Sequence, residues 1–142
     1  HPKGNRNTPG AGAAGGIGYA FMMFLNGMLR PGIDIVLDEI GLEEKITQAD
    51  LVITGEGRLD AQTLMGKTPA GVASLAKKYH KRVLAIAGCF GDDVIQCKQS
   101  GLFDDCLAVK DILSEQEQIH AMEKRNATAH LQKLVKQYFV NW

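Results

Sequence analysis

The stretch Leu51-Val52-Ile53-Thr54-Gly55-Glu56-Gly57-Arg58-Leu59-Asp60 joins a short apolar run to a polar segment that carries glycines. Its first part, Leu51 to Thr54, is rich in β-branched residues and predicts a strand buried on both faces. The residues from Gly55 onward are predicted to form a loop, and residues 70–79 have the apolar spacing of a helix. In an open α/β sheet, the loop of such a strand-loop-helix unit usually holds the ligand.

The same alternation continues to the end of the chain. Strands are predicted over residues 51–54, 83–87 and 106–109, and helices over 70–79, 92–100 and about 115–139. This order implies parallel strands joined by right-handed crossovers, so the predicted fold class is α/β. Three strands are fewer than the roughly five usual in a doubly wound domain, so further strands are expected upstream.

The part of the chain before the first strand is predicted to be helical. A glycine-rich loop leads into a helix over residues 19–29, which Arg30-Pro31-Gly32 is expected to stop. Asp34 is expected to cap a second helix, and residues 43–48 to form one short helical turn.

Composition excludes several classes of partner. The chain has 142 residues, of which 45% are apolar, enough for about one domain with a core. Lysine and arginine total 16, as do aspartate and glutamate, and this balance argues against a nucleic acid or an anionic membrane as partner. A small molecule or a protein is therefore the expected partner.

Cysteine and histidine usage indicates a cytosolic protein without a zinc or disulfide framework. The three cysteines have no C-x-x-C spacing, and the histidines are scattered. No apolar stretch approaches the roughly 20 residues that span a bilayer. Because the chain opens at His1 with a polar run, we expect it to continue a longer sequence.

The segment Gly10-Ala11-Gly12-Ala13-Ala14-Gly15 matches the G-x-G-x-x-G pattern of dinucleotide-binding loops. In those proteins the pattern follows a strand, whereas residues 3–9 here are polar and end in proline. A dinucleotide site is therefore disfavoured. Tight packing of the loop and the cradling of a phosphate by its N–H groups both remain open.

The segment from Ala61 to Thr68 comes within one residue of the Walker A pattern, with Ala61 where the first glycine belongs. Six residues separate it from the predicted strand, which argues against a P-loop. Thr68 is expected to cap the next helix with Pro69 at its first position. Lys67 beside that helix start either binds an anion or is an ordinary solvated lysine.

Glu56, Arg58 and Asp60 alternate along the predicted loop and could direct two carboxylates and a guanidinium into one crevice. A carboxylate there can accept a hydroxyl proton or hold Mg²⁺, and an arginine can neutralise a carboxylate or phosphate. The structural alternative is an ion pair that stabilises the loop, with Asp60 as a helix cap. Residue types alone do not decide between the two interpretations.

Four blocks of sequence carry a resemblance to a known family. Residues 9–16, 29–33, 49–60 and 66–69 resemble, in order and spacing, the type I glycerate kinases of bacteria. The resemblance covers essentially the whole chain and is tightest through Thr68-Pro69. Members of that family are more than twice as long, so the chain resembles the C-terminal portion of such an enzyme.

The resemblance implies a fold and an activity. The fold would be the C-terminal half of a Rossmann-like three-layer α/β/α domain (residues 49–142), preceded by the end of a second α/β domain that carries the glycine loop (residues 1–48). The activity would be ATP-dependent and Mg²⁺-dependent phosphorylation of D-glycerate to 2-phosphoglycerate in the cytoplasm. The N-terminal part of the same enzyme would be a required partner, and a homo-oligomer is a further expectation.

The residues expected to carry this chemistry fall into two groups. The candidates for catalysis are Asp60, Glu56 and Arg58, with Asp60 also the candidate for Mg²⁺. The candidates for phosphate or nucleotide binding are Gly10, Gly12, Gly15, Gly16, Lys67 and Thr68. Two alternatives are a nicotinamide-dependent oxidoreductase that uses the Gly10–Gly15 loop and a non-catalytic assembly module that pairs its open sheet edge.

Overall fold

The computed structural model describes residues 5–119 and 124–140. They form two compact units, one ending at Ile35 and the other beginning at Val36. The first unit contains α1 (Ala13–Leu25), and α2 (Gly32–Glu39) crosses the junction. The domain boundary predicted after residue 48 concerns the whole protein and stays a prediction.

The second unit alternates strands and helices. The strands are β1 (Leu51–Leu59), β2 (Arg82–Phe90) and β3 (Asp105–Ala108), and the helices are α3 (Leu42–Gln48), α4 (Thr68–Lys78), α5 (Ile95–Gln99), α6 (Glu115–Ile119) and α7 (Lys124–Phe139). Two short 3₁₀ helices, Ala61–Leu64 and Val109–Ile112, follow β1 and β3.

The three strands form one parallel sheet in the order β1-β2-β3. Val52 of β1 lies opposite Val83 of β2, and Leu84 of β2 opposite Asp105 of β3. The predicted α/β class with parallel strands is confirmed. Within the described residues, β1 pairs with β2 alone, so its other edge carries no strand.

The core lies between one face of the sheet and α4. Val52, Val83 and Ala85 pack with Ala73 and Ala76 of α4, and all five are buried. Alanines on the helix allow its backbone to approach the sheet closely, and the β-branched strand residues fill the space between. This packing holds the start of α4 next to the carboxyl end of β1.

The opposite face of the sheet is only partly covered. Successive strand residues point to opposite faces, so Ile53 and Ile86 point away from α4. They line a cavity of about 430 Å³ together with Ala127 and Leu131 of α7. Ile53 is 51% exposed, so the cavity is open at β1.

The predicted end of the first strand is wrong. β1 does not stop at Thr54 but continues to Leu59, and Arg58 and Leu59 still pair with Cys89 and Phe90 of β2. The glycines that indicated a loop belong to the strand. At Gly55 the backbone of β2 lies so close that a side chain would not fit. A Cβ atom on Gly55 would lie 2.2 Å from the carbonyl oxygen of Ile86.

The start of the following helix also differs from its prediction. Lys67, not Thr68, is the N-cap of α4, and the carbonyl of Lys67 accepts the N–H of Gly71. Lys67 has an extended backbone, with ψ 164°, while Thr68 is already helical and exposed. Pro69 then lies inside the first turn, where its missing N–H costs no hydrogen bond.

The first helix begins and ends earlier than predicted. Residues 14–16 have positive φ, so regular helical backbone begins near Ile17. The helix ends because Asn26 adopts a left-handed conformation, and the N–H groups of Asn26 and Gly27 both donate to the carbonyl of Phe21. The predicted stop at Arg30-Pro31-Gly32 is therefore too late.

The predicted cap of the second helix is wrong. Asp34 lies in the first turn of α2 and does not cap it.

The helices near the C-terminus have different bounds from those predicted. The helix predicted over 92–100 is the shorter α5. The single helix predicted over 115–139 is described as α6 and α7, and residues 120–123, which include His120 and Met122, lie outside the described residues. Among the described residues, no helix is both long and apolar enough to cross a membrane.

Asp104 links α4 to the start of β2 and supplies a stability test. Its Oδ2 accepts Lys77 Nζ at 2.7 Å and the N–H of Val83 at 2.6 Å. Burial raises the pKa of Asp104, but the hydrogen bonds from Lys77 and Val83 outweigh it, and the net pKa lies below 3.8. The carboxylate therefore stabilises the fold above pH 3.8, and this contribution is lost as the pH falls below that value.

We expect Asp104→Asn to lower the free energy of unfolding at pH 7 by about 1 kcal/mol, since the ion pair is partly exposed. Urea unfolding curves of wild type and variant should converge as the pH falls below 3.8. Asp111→Asn, on an exposed position, is the matched control. A constant difference between wild type and Asp104→Asn down to pH 3 would contradict the ionic origin.

Candidate active site

The site is built at the carboxyl end of β1. Glu56 and Arg58 lie two residues apart on the strand, so their side chains project from the same face. Asp60 is the first residue after β1 and is the N-cap of the 3₁₀ helix Ala61–Leu64. The alternation seen in the sequence thus comes from strand geometry and not from a loop.

Asp60 and Thr63 form a reciprocal cap. Asp60 Oδ1 accepts the N–H of Gln62 at 3.0 Å, and the N–H of Asp60 donates to Thr63 Oγ1 at 3.1 Å. This arrangement satisfies backbone donors on both sides of the turn. It also holds the Asp60 carboxylate in one orientation next to β1.

Lys67 lies between the two carboxylates. Its Nζ is 3.8 Å from Glu56 Oε2 and 3.7 Å from Asp60 Oδ1, while Arg58 Nε is 3.7 Å from Asp60 Oδ2. The carboxylates are 19% and 18% exposed, whereas Lys67 is 41% and Arg58 59% exposed. The acids are therefore fixed in the site, and the cations are the groups that an anionic ligand can reach.

The residues that follow β2 pack against the site. The N–H of Gly91 donates to the carbonyl of Leu59 at 2.8 Å, and Asp93 Oδ1 accepts the N–H of Ala61 at 3.2 Å. A Cβ atom on Gly91 would lie 2.8 Å from Asp60 Cβ and 3.1 Å from Arg58 Nε. Gly91 is thus a glycine because the site residues leave no room for a side chain.

Cys97 supports the same turn from α5. Its thiol donates to the carbonyl of Asp60, with Sγ and the oxygen 3.0 Å apart. Burial raises the pKa of Cys97, a hydrogen bond with Thr63 lowers it in part, and the nearby charges of Asp60, Asp93 and Glu56 raise it further, so the net pKa lies above its usual value. The group therefore stays a neutral thiol, which suits a structural donor and not a nucleophile.

The predicted catalytic residues and one predicted phosphate-binding residue are brought together, since Glu56, Arg58, Asp60 and Lys67 form one cluster. Thr68 lies at the exposed start of α4. The near-Walker segment is not a P-loop, because Ala61–Leu64 is a 3₁₀ helix. Sequence reasoning did not connect Thr63, Gly91, Asp93 and Cys97 to this cluster, although the spacing of Asp60 and Thr63 is that of a capping box and could have been found.

The glycine loop lies in the first unit and is described by itself. Gly10, Gly15 and Gly16 have φ of 87°, 70° and 95°, which only glycine adopts without strain. Gly12 has a right-handed backbone. A Cβ atom on Gly18 would lie 2.6 Å from the carbonyl oxygen of Gly10, so part of the glycine content serves close packing of the loop onto its helix.

The context of this loop does not match a dinucleotide fingerprint. Residues 5–9, the described residues before Gly10, contain turns and no strand. The Rossmann pattern requires a strand directly before the first glycine. The nicotinamide-dependent alternative is therefore not favoured.

Two carboxylates of the cluster have the chemistry of a magnesium site. Mg²⁺ is commonly bound by one or two carboxylates, with substrate phosphates and water completing its octahedron. Glu56 Oε2 and Asp60 Oδ1, which both approach Lys67 Nζ, fit that requirement. Among the described residues, no group of three or more His, Cys, Asp and Glu side chains forms a complete protein cage for a metal.

The matches to known proteins agree with one another. The model of the glycerate kinase family matches residues 2–140. Glycerate 2-kinase of Escherichia coli K12 is 55% identical over 97 residues, which are 68% of this chain and 26% of that protein. Glycerate kinase of Bacillus subtilis 168 is 50% identical over 97 residues, or 68% of this chain and 25% of that protein.

A solved structure of a glycerate kinase also matches this chain. A crystal structure from Salmonella typhimurium LT2, assigned as a glycerate kinase 2, aligns with a TM-score of 0.55 at 41% sequence identity. The alignment covers 87% of this chain and 33% of that one.

The chain is thus an α/β protein with a parallel sheet and a charged cluster at the carboxyl end of β1, the edge where open sheets of this class usually hold their ligands. The chain belongs to the glycerate kinase family. It spans about a quarter of the length of the curated relatives it matches.

Proposed function

We propose that this chain is the C-terminal part of a kinase that transfers the γ-phosphoryl group of ATP to D-glycerate, giving 2-phosphoglycerate, in the cytoplasm. The observation that carries the proposal is the cluster of Glu56, Arg58, Asp60 and Lys67 at the end of β1. Phosphoryl transfer needs mainly positioning and neutralisation of charge, and this cluster supplies both.

The two cations are proposed to meet the anionic parts of the substrates. Lys67 would bind a phosphate of ATP, with the N-terminus of α4 beside it adding a favourable dipole. Arg58 would bind the glycerate carboxylate or a phosphate, because a guanidinium can donate two parallel hydrogen bonds. Both cations are more exposed than the acids they pair with, which suits groups that change partner when ligands bind.

The two carboxylates are proposed to handle the metal and the hydroxyl proton. Asp60 would hold Mg²⁺, which when bound neutralises charge on the transferring phosphate. The carboxylate that does not hold the metal would accept the proton of the attacking hydroxyl. Both side chains are mostly buried, so they would meet the ligand with little reorganisation.

The glycine loop is proposed to add phosphate contacts. Gly10, Gly12, Gly15 and Gly16 carry no side chains, so backbone N–H groups there can approach a phosphate closely. Thr68 is proposed to contribute its hydroxyl to the same phosphate site, and its exposure supports this.

The sheet of the whole enzyme is proposed to continue past β1 into a Rossmann-like three-layer domain. The open edge of β1 and the half-covered face around Ile53 support this, as does the greater length of the relatives. Ile53→Glu should then weaken association of this chain with separately expressed upstream sequence. Self-association of the 142-residue chain through the same edge would instead favour the assembly-module alternative.

The activity is tested by ADP release from the full-length protein with Mg-ATP and D-glycerate, with L-glycerate as the control. We expect turnover with the D enantiomer, and ³¹P NMR of the product should distinguish phosphate on the 2-hydroxyl from phosphate on the 3-hydroxyl. ADP release that is independent of glycerate, or no release at all, would contradict the proposal. The 142-residue chain assayed in parallel measures how much of the catalytic machinery it contains.

A further inference from the structure

Thr63 is a buried polar residue that the proposed mechanism does not yet use. It is completely buried, although it lies in a short 3₁₀ helix next to exposed residues. Burial of a hydroxyl is unfavourable unless its hydrogen bonds are made inside the protein. The partners of Thr63 therefore explain why the residue is there.

Two hydrogen-bond partners of Thr63 belong to the charged cluster, and the Cys97 thiol lies beside the same hydroxyl. Its Oγ1 accepts the N–H of Asp60 at 3.1 Å and donates to Glu56 Oε1 at 2.5 Å. A hydroxyl has only one proton. Since the backbone N–H of Asp60 can only donate, that proton is available for Glu56, and Glu56 Oε1 is the acceptor.

This hydrogen bond leaves the two oxygens of Glu56 in different states. Oε1 is engaged by Thr63 inside the protein, whereas Oε2 is 3.8 Å from Lys67 Nζ, too far for a hydrogen bond. Glu56 is thereby held by Oε1, with Oε2 turned toward Lys67.

We infer that Thr63 is a positioning residue that fixes Glu56, so that Glu56 acts through Oε2. The inference rests on the proposed function, in which Glu56 contacts the metal or the reacting hydroxyl. The one hydroxyl of Thr63 links the side chain of Glu56 to the backbone N–H of Asp60.

The test compares Thr63→Val, Thr63→Ser and Thr63→Ala in the full-length enzyme, with kcat and KM measured alongside thermal unfolding. Valine keeps the shape and removes the hydroxyl, whereas serine keeps the hydroxyl and removes the methyl group. We expect Thr63→Val to lower kcat about tenfold with a small change in KM for ATP. We expect Thr63→Ser to keep kcat within about threefold of wild type even if its melting temperature falls.

The serine and alanine variants provide the comparison if the valine variant does not fold. They differ only in the oxygen atom, so a higher kcat in Thr63→Ser than in Thr63→Ala assigns the effect to the hydroxyl. Equal kcat in the two, at or near the wild-type value, overturns the inference. So does activity that follows the melting temperature across the whole series.

A double-mutant cycle with Glu56→Gln separates this inference from the proposed function. If Thr63 acts through Glu56, Thr63→Val should lower kcat much less in the Glu56→Gln background than in wild type. Equal fold losses in both backgrounds overturn the inference and leave the proposed function intact. A wild-type enzyme without D-glycerate activity, or a fully active Glu56→Gln variant, removes the proposed function or the role of Glu56, and the inference with it.

Discussion

Replacing Lys67 by alanine in the full-length enzyme is expected to lower kcat with D-glycerate and Mg-ATP by about a hundredfold or more. Lys67 is the ammonium that lies between Glu56 Oε2 and Asp60 Oδ1, and its stem is anchored at the N-cap of α4. Its removal takes away the proposed phosphate contact and leaves two carboxylates facing each other. A hundredfold loss corresponds to about 2.7 kcal/mol of transition-state stabilisation, typical of one preorganised charged contact.

Lys45→Ala, on an exposed position of α3, is the matched control and should leave kcat unchanged. Urea unfolding of both variants separates loss of catalysis from loss of folded protein. We also expect Lys67→Arg to recover part of the activity, since the charge returns with a different shape. Near-normal turnover by both Lys67→Ala and Arg58→Ala would show that the charged cluster has been wrongly assigned.

The sequence predicted the order of elements well because that information is local. Apolar β-branched runs alternate with helical spacing, so the parallel sheet and the positions of α4 and β2 follow from the pattern. The residues of the charged cluster were predicted together for a similar reason. Glu56, Arg58 and Asp60 are close in sequence, and Pro69 indicated the helix start that brings Lys67 to them.

The features that were missed depend on contacts between distant segments. Gly55 and Gly57 have low strand propensity, yet β1 runs through them because β2 supplies the pairing partner. The role of Gly91 depends on the approach of Arg58 and Asp60 more than 30 residues earlier in the chain. Thr63 looked like part of a failed phosphate-binding pattern, and its burial could not be read from neighbouring residues.

The pairing of β1 with β2 makes Gly55 the most sensitive position in the strand. A Cβ atom there would lie 2.2 Å from the carbonyl oxygen of Ile86, a backbone atom that cannot rotate away. Gly55→Ala therefore forces the two strands apart where they are paired, next to the buried Thr54. We expect the variant to lose about 3 kcal/mol of unfolding free energy, the upper range for an overpacked core.

Gly57→Ala is a control on the same strand, since a Cβ atom at Gly57 would meet no atom within 4 Å. Alanine has a lower backbone entropy cost than glycine, so this variant should be neutral or slightly more stable than wild type. Urea unfolding at pH 7 measures both free energies. Equal losses from Gly55→Ala and Gly57→Ala would mean that the strand tolerates neither side chain and that the close approach at Ile86 is not the cause. A large loss confined to Gly55→Ala would show that the strand reaches the charged cluster only because a glycine lets β1 lie against the backbone of β2.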